Sequence, residues 1–477
     1  MNNKSSILDI LNYDNFIFSS LIVMLLNTIG IIRISVISQI LSILLGAQFA
    51  ITFLNQSYKN KTLFEINLKE NWISYFIVIA TIISFIGNSF RFPVKNIYTI
   101  ISIYVSFIVF FSLSFKVGYE VKMKKYMKIL TYLIFAINLI NIFLLIFEFS
   151  YQIAGFDGIS LPRYLGVDPY HQRFGGLNSN TNGLGRLSLS GIFATMILLI
   201  YDEEFCKKTK FIYTALILHT IMILLSQSRG TIIACVFGII VFITTYFLQK
   251  HAGHSIIKKL IIVSVAVPIL FLGIKTSSMV SSFVVSNFPT ISIFQGMMSE
   301  NKIPPIIDRD KQNTSEDDED DITTGRLTLM KNGIKATLET NPLFGLSYGG
   351  NKIQIQNYID SHNIKVKGAQ YRGAGSMHNT IVQFFVNTGF LGLIGFLVFL
   401  LYFFRSVLVT TFTKQNTGDL KQLMIFNAMV GSLFVVNMVE WIFYFDYDNH
   451  FVNFFQMFLY GFYIRKYRKQ YKEKRSM

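Results

Sequence analysis

His378 and several arginines border long apolar segments of the sequence, where titratable and charged side chains are rare. Small residues at 373–376 precede His378 and permit a close approach, and an apolar segment follows it. An imidazole exchanges protons near neutral pH, so His378 is a candidate general base that takes a proton from a hydroxyl group. Secondary candidates are Asn379 beside it and, near a later apolar segment, Glu440 with Asp446 or Asp448.

Arg229 lies in Ser226-Gln227-Ser228-Arg229-Gly230, which separates two apolar segments with almost no linker. An arginine flanked in this way is costly in a membrane unless it faces a polar cavity or a counter-ion, so it is a functional candidate. The alternative interpretation is a hairpin tip whose arginine reaches lipid phosphate.

Glycine and asparagine are concentrated at 173–183, a segment that begins with Arg173 and leads toward Arg186. Both residue types tolerate turn and left-handed backbone, so this segment can expose amide N–H groups beside two arginines. Such a surface suits a phosphate group. The alternative is a flexible loop whose arginines lie at the level of the lipid headgroups.

Arg326 is predicted to stand in the first turn of an external amphipathic helix. A threonine pair provides its cap, an apolar stripe follows, and Asn341-Pro342 ends it. A turn rich in proline and glycine is predicted at 341–350. The acidic run at 316–321 is interpreted as a solvated connection rather than a metal site, and its role stays open.

These candidates are carried by a chain that is 52% hydrophobic and only 15% charged, with a mean hydropathy of +0.46. This composition excludes a soluble globular protein, and the long continuous apolar segments predict spanning helices rather than barrel strands. The predicted fold is an all-α polytopic membrane protein of about twelve helices, with one large external loop before span ten. The predicted spans are 15–33, 34–54, 72–90, 96–115, 129–150, 184–201, 211–226, 230–248, 260–274, 380–404, 422–440 and 450–464. The predicted parts are 1–274 (spans one to nine), 275–377 (the loop), 378–464 (spans ten to twelve) and 465–477 (a basic tail).

The distribution of lysine and arginine predicts the orientation of these spans. Most of them fall in alternate connections and in the tail, which predicts cytoplasmic termini and a large loop at the outer face of the plasma membrane. The net charge of +16 is attributed to this signal beside anionic lipid, so no nucleic-acid partner is predicted. Cys206 and Cys235 form neither a disulfide framework nor a metal set.

Several short motifs follow one another in the order of a known family. They are Arg-Phe-Gly-Gly-Leu-Asn-Ser-Asn-Thr-Asn at 173–182, Ser-Arg-Gly at 228–230, Gly-Arg-Leu at 325–327, Asn-Pro-Leu-Phe-Gly-Leu-Ser-Tyr-Gly at 341–349, and His-Asn-Thr-Ile-Val-Gln-Phe-Phe-Val-Asn-Thr-Gly-Phe-Leu-Gly-Leu at 378–393. In order, spacing and predicted side, these motifs resemble the superfamily of O-antigen ligases and Wzy-type polysaccharide polymerases. The resemblance covers roughly residues 170 to 400.

The resemblance implies a membrane glycosyltransferase of the GT-C type with an outward-facing active site. It implies an undecaprenyl-diphosphate-linked oligosaccharide as donor, His378 as general base, and Arg173, Arg229 and Arg326 as diphosphate-binding residues. Direct displacement inverts the anomeric carbon and requires neither a nucleotide nor a metal cofactor. Further implied partners are membrane lipid, a chain-length regulator and a flippase.

Within this superfamily a polymerase is favoured, which joins repeat units into O-antigen, capsule or exopolysaccharide. The alternative is a ligase that moves lipid-linked glycan to another acceptor. A twelve-span transporter or flippase is a competing class, disfavoured because the two halves are unlike and the polar clusters lie at the outer rim. A third class is a sensor or scaffold whose outer loop binds glycan, for which His378 is dispensable.

Overall fold

A bundle of long helices with a small sheet at one end makes up the computed structural model. It describes residues 12–60, 68–113, 119–147, 149–153, 163–168, 173–250, 326–364, 377–413, 417–439 and 450–476. The helices are α1 (Tyr13–Leu26), α2 (Gly30–Ile34), α3 (Val36–Asn60), α4 (Leu68–Gly87), α5 (Pro93–Tyr104, continued as a π-helix over Val105–Leu113), α6 (Tyr119–Ile146), α7 (Thr181–Tyr201), α8 (Glu203–Cys206), α9 (Thr209–Ser226), α10 (Arg229–Lys250), α11 (Arg326–Thr340), α12 (Asn351–Ser361), α13 (Thr380–Phe412), α14 (Thr417–Val439) and α15 (His450–Ser476).

The helices confirm the predicted polytopic membrane fold. Among the described residues, eight helices are long and apolar enough to cross a membrane, and α1 and α4 add shorter apolar helices. Every predicted span except the ninth, at 260–274, overlaps a described helix, and the first, at 15–33, is divided between α1 and α2. The ninth lies outside the described residues, as does most of the predicted loop at 275–377.

Helices α10 and α14 pack against each other along their length in antiparallel directions. Gly238 permits this approach, because a Cβ there would lie 3.2 Å from the Ala428 carbonyl oxygen and closer still to Ser432 Oγ. Further along, Asn427 Nδ2 donates to Thr245 Oγ1 at 3.1 Å. Small residues and hydrogen-bonding side chains are what join helices where apolar burial provides no driving force. The pairing therefore fixes the first turn of α10 beside the last turn of α14.

Helix α13 is interrupted at Gly389, whose φ is +63°. Residues 342–347, called here the insert segment, lie against the interruption and replace the helical hydrogen bonds that it opens. Unpaired backbone groups are very costly away from water, so this replacement makes the break tolerable. The four bonds are Leu346 N to Val386 O (2.7 Å), Ser347 N to Asn387 O (3.1 Å), Phe390 N to Pro342 O (2.9 Å) and Leu391 N to Leu343 O (3.3 Å).

The end of α4 and the start of α5 hold the insert segment from the other side. Ser84 Oγ lies 2.6 Å from the Phe344 carbonyl oxygen, and Asn88 Nδ2 donates to the Gly345 carbonyl oxygen at 3.0 Å. Just after the insert segment, the side-chain oxygen of Asn96 accepts from Gly349 N at 3.0 Å. The sequence predicts the turn at 341–350 but gives no sign that it is inserted between helices.

A three-stranded antiparallel sheet occupies part of the segment between α6 and α7. Strands β1 (Ser150–Ile153), β2 (Arg163–Asp168) and β3 (Arg173–Gly176) pair in sequence order. Gly166, with φ of +82°, lies where a Cβ would collide with the Phe149 carbonyl oxygen. The all-α class holds for the spanning helices, and this sheet is an addition that the Gly- and Asn-rich composition did not indicate.

Several lysines form ion pairs at the end of the bundle where α7 ends. This end of the bundle is called here the lysine end. Asp202 is only 1% exposed, accepts from Phe205 N at 3.2 Å, and pairs with Lys124 at 3.1 Å and Lys128 at 3.8 Å. Burial alone would raise the pKa of Asp202, but the hydrogen bonds from Lys124 and Phe205 and both lysine charges lower it below its ordinary value.

Candidate functional site

His378 lies at the junction where the chain enters α13. Its φ of +48° is in the left-handed region, which costs a non-glycine residue about 1–2 kcal/mol. The preceding residue, Met377, is fully buried, and its N–H donates to Gln383 Oε1 at 2.7 Å. The following residue, Asn379, caps α13 by accepting from Val382 N at 3.0 Å. The half-buried imidazole is thus held between two anchored neighbours.

A second contact of Asn379 connects His378 to the end of α14. Asn379 Nδ2 donates to the Met438 carbonyl oxygen at 3.0 Å, and Thr380 Oγ1 reaches Asn437 Oδ1 at 3.4 Å. Since the last turn of α14 packs beside the first turn of α10, the chain near His378 and the chain at Arg229 lie at one end of the bundle. This end, with the sheet and the chain at 226–229, is called here the site end.

The turn between α9 and α10 presents Arg229 as an exposed first residue of α10. Gln227 reverses the chain with a φ of +49°. Ser228 stabilises the start of the helix, because its Oγ lies 2.9 Å from Thr231 Oγ1. Arg229 is therefore exposed at a hairpin tip, the position that the alternative interpretation gave it, and the turn is held by hydrogen bonds.

The same turn packs against the first turn of α7. A Cβ on Gly185 would lie 2.9 Å from Ser226 Oγ and 3.0 Å from Thr231 Oγ1. Arg186, the next residue, is 3% exposed. A buried arginine in a spanning helix is expensive and marks a functional position by default. The close approach at Gly185 places the helix that follows the Gly- and Asn-rich segment against the turn at 226–230.

The Gly- and Asn-rich segment is held in place by several hydrogen bonds. Asn180 caps α7 by accepting from Asn182 N at 3.0 Å. Leu177 N donates to Asn141 Oδ1 of α6 at 2.7 Å, and its carbonyl accepts from Gly30 N at 2.6 Å. The segment is therefore not the freely flexible loop of the alternative interpretation.

Arg33 is a residue that the sequence indicated only as part of the charge pattern. Its Nη2 donates to Ser179 Oγ at 3.3 Å, which places a further guanidinium against the Gly- and Asn-rich segment. The segment itself begins at β3, whose first residue is Arg173. No sequence signal links Arg33 to this segment, because 146 residues separate the two partners.

Residues 326–340 are helical, as predicted, and Arg326 is the first described residue of α11, while the predicted threonine cap lies outside the described residues. Gly333 of α11 packs against Met377, and a Cβ there would lie 3.2 Å from Val386. The seven residues between Arg326 and Gly333 rise roughly 10 Å along the helix. The start of α11 is thus about two turns from the neighbour of His378.

The side chains of Arg173 and Arg326 lie outside the described part of the structure, as do Glu440, Asp446, Asp448 and the acidic run at 316–321. Among the described residues, no group of three or more His, Cys, Asp or Glu side chains could hold a metal ion. His219 is accounted for by packing, and His362 is a surface residue. His219 is fully buried with Nδ1 2.8 Å from Asn138 Nδ2, and exposed His362 pairs with Glu339 at 3.3 Å.

The fold and the site end define a polytopic membrane protein that gathers an imidazole and guanidinium groups at one rim. Residues 214–397 match the family model described as O-antigen ligase. This match confirms, over that part of the chain, the resemblance predicted from the motifs. The family match supports the conclusion that this protein is an enzyme and that it acts on a lipid-linked glycan. The search of curated proteins gives no match.

Proposed function

We propose that this protein polymerises undecaprenyl-diphosphate-linked oligosaccharide repeat units into a surface polysaccharide. The site end would face the outside of the plasma membrane, with both termini cytoplasmic. The family match supports lipid-linked glycan chemistry. The lysines at the lysine end, among them Lys124 and Lys128, support this orientation.

His378 acts as general base in the proposed reaction. It takes the proton of an acceptor hydroxyl while that oxygen bonds to the anomeric carbon of the donor. The bond from the anomeric carbon to the diphosphate oxygen breaks, and its electron pair leaves with undecaprenyl diphosphate. The imidazolium then releases the proton to water, and the new linkage has the opposite anomeric configuration.

Arginines stabilise the leaving diphosphate. A guanidinium offers paired donors in a fixed geometry that matches phosphate oxygens, and it keeps its charge throughout the reaction. Arg229, Arg173 and Arg326 are assigned this role, with Arg186 as a buried secondary contact. Such charge stabilisation at the developing anion is commonly the largest contribution to catalysis. The scheme uses no nucleotide and no metal.

One observation carries the proposal, which is the bond from Asn379 to the Met438 carbonyl oxygen. It fixes the entry to α13 at the end of α14, and α14 is the helix packed along α10, the helix that Arg229 begins. His378 and Arg229, which are 149 positions apart in the sequence, thereby lie at one rim of the bundle. A base and cations at one rim are what transfer from a diphosphate requires.

The test supplies purified protein with lipid-linked repeat units and measures glycan length. We expect wild type to lengthen the glycan without nucleotide sugar or added metal, and His378→Ala to fold normally and be inert. The matched control is His362→Ala, an exposed histidine with a surface ion pair, which is expected to keep full activity. Elongation by His378→Ala at the wild-type rate contradicts the base assignment.

Arg229→Ala tests the diphosphate role, with exposed Arg405→Ala of α13 as control. Removing an arginine that binds the leaving group is expected to lower kcat about 100-fold or more. The kcat of the control variant is expected to stay near the wild-type value. Equal activity of the two variants contradicts the role of Arg229.

The acceptor separates a polymerase from a ligase. A polymerase yields a ladder of lipid-linked products from repeat units alone, whereas a ligase is silent until a second acceptor is added. Movement of lipid-linked glycan across vesicles without bond formation identifies the transporter alternative.

A further inference from the structure

Gln383 is a fully buried amide one turn inside α13 that the proposed reaction does not use. Its Oε1 accepts from Met377 N at 2.7 Å, and its Nε2 donates to Asn387 Oδ1 at 3.2 Å. The first bond holds the peptide that leads directly into His378. The second bond holds Gln383 itself in one orientation.

His378 depends on such anchoring because of its backbone. A residue with a side chain stays in the left-handed region only where its surroundings over-determine the conformation. Asn379 fixes the chain after His378, by its cap and its bond to Met438. Gln383 fixes the chain before it, so the two amides hold the imidazole from both sides.

The hydrogen-bonded chain continues from Gln383 into residues 326–364, called here the connector lobe. Asn351 Nδ2 of α12 donates to Asn387 Oδ1 at 2.8 Å, and Asn351 is 3% exposed. The connector lobe has a small apolar core of its own, and Met377 and Val386 are part of it. The position of the connector lobe is therefore linked to the peptide before His378 through two amides.

We propose that Gln383 is a positioning residue that fixes the His378 imidazole against the acceptor hydroxyl by holding the Met377 peptide and Asn387. This inference rests on the proposed function, in which His378 is the base. Gln383 touches neither substrate nor leaving group, so it acts on the rate of the chemical step and not on donor binding.

The first variant is Gln383→Met, which keeps the length of the side chain and removes both hydrogen bonds. A misplacement of a catalytic group by about 1 Å can cost on the order of 100-fold in rate. We expect kcat to fall about 10- to 100-fold while KM for the lipid-linked donor stays at the wild-type value.

The second variant is Gln383→Glu, which restores both bonds only when the acid is neutral. Its carbonyl oxygen then accepts from Met377 N, and its hydroxyl donates to Asn387 Oδ1. We expect its activity relative to wild type to rise as the pH is lowered, whereas the ratio for Gln383→Met stays constant with pH. A merely structural role would not produce this difference in pH profile.

The matched control is Asn427→Leu at the lysine end. Asn427 is also a buried amide, bonded to Thr245, Thr411 and Tyr463 at 3.1, 2.7 and 2.8 Å. Its loss is expected to lower the unfolding temperature in detergent and to leave kcat per folded molecule unchanged.

The positioning role is overturned if Gln383→Met keeps the wild-type kcat, or if its loss equals that of Asn427→Leu, or if KM rises in proportion. His378→Ala is measured in parallel. If it is inert while Gln383→Met is fully active, only the positioning role fails. If His378→Ala is active, the base assignment fails, and the positioning role fails with it whatever Gln383→Met does.

Discussion

The side-chain amide of Asn379 joins the start of α13 to the end of α14. Its oxygen accepts from Val382 N at 3.0 Å, and its nitrogen donates to the Met438 carbonyl oxygen at 3.0 Å. One side chain thus satisfies a free N–H at the start of α13, which lacks a partner in its own helix, and also bonds a carbonyl oxygen of the last described turn of α14. His378 precedes this junction directly.

Separating the two bonds of Asn379 tests their importance. Asn379→Ala removes both and is expected to lower stability by about 1 kcal/mol through the lost cap alone. Asn379→Asp keeps the capping oxygen and loses the donor to Met438. We expect Asn379→Asp to recover most of the thermal stability measured in detergent, but not the rate of glycan elongation. Equal rates for Asn379→Asp and wild type would contradict the role of the Met438 bond.

Asn141 anchors the Gly- and Asn-rich segment from within the bundle. Asn141→Leu leaves Leu177 N–H without this acceptor, and an unsatisfied buried donor costs about 1–3 kcal/mol. The segment is then expected to shift and the affinity for the lipid-linked donor to fall. Donor binding measured by titration, with Asn427→Leu as a buried-amide control, checks the expectation. Unchanged donor affinity in Asn141→Leu would show that the anchor is irrelevant to binding.

A substitution at Gly345 tests how closely the insert segment packs against α13. Its φ is +71°, and a Cβ would lie 2.5 Å from backbone atoms of Asn387, Thr388 and Gly389. Gly345→Ala is therefore expected to displace the insert segment and to lower both the unfolding temperature and activity. The control is Gly46→Ala in α3, where a Cβ meets nothing within 4 Å. Alanine there is expected to be neutral or to stabilise the helix by up to about 1 kcal/mol. Similar unfolding temperatures for the two variants would contradict the close fit.

The lowered pKa of Asp202 at the lysine end predicts that the stability of the protein depends on pH. Its folded pKa is lowered, so the carboxylate stabilises the fold above its unfolded pKa of about 4. This contribution is lost as the pH falls through the folded pKa. We expect Asp202→Asn to unfold at a lower temperature than wild type at pH 7, with a difference that shrinks below pH 4. A difference that is constant with pH would exclude the ion pairs as its cause.

The helical architecture could be predicted from the sequence because apolar length alone decides it. Apolar segments long enough to cross a membrane become helices, and this rule found all the described spans. The boundaries were less accurate, since α13 continues to Phe412, beyond the predicted end at 404. Apolar composition does not indicate where a helix leaves the membrane.

The candidate site could be predicted only in part. His378, Arg229 and Arg186 stood out because polar groups beside apolar segments are rare. Arg33 and Gln383 did not, since their importance comes from partners far away in sequence or from a hydrogen bond to the backbone. Pairings of this kind leave no periodicity or composition to read. The sheet at β1 to β3 was missed for the same reason, because cross-strand pairing is not local.

The break in α13 also constrains how this chain can change in length. On each side of the interruption, two residues of α13 are hydrogen-bonded to two residues of the insert segment. These are two matched sets, one with 346 and 347 and the other with 342 and 343. Adding or deleting a residue inside one of these two matched sets would shift its register and leave up to four backbone groups without partners. Insertions are therefore expected to be tolerated poorly between 342 and 347 and between 386 and 391.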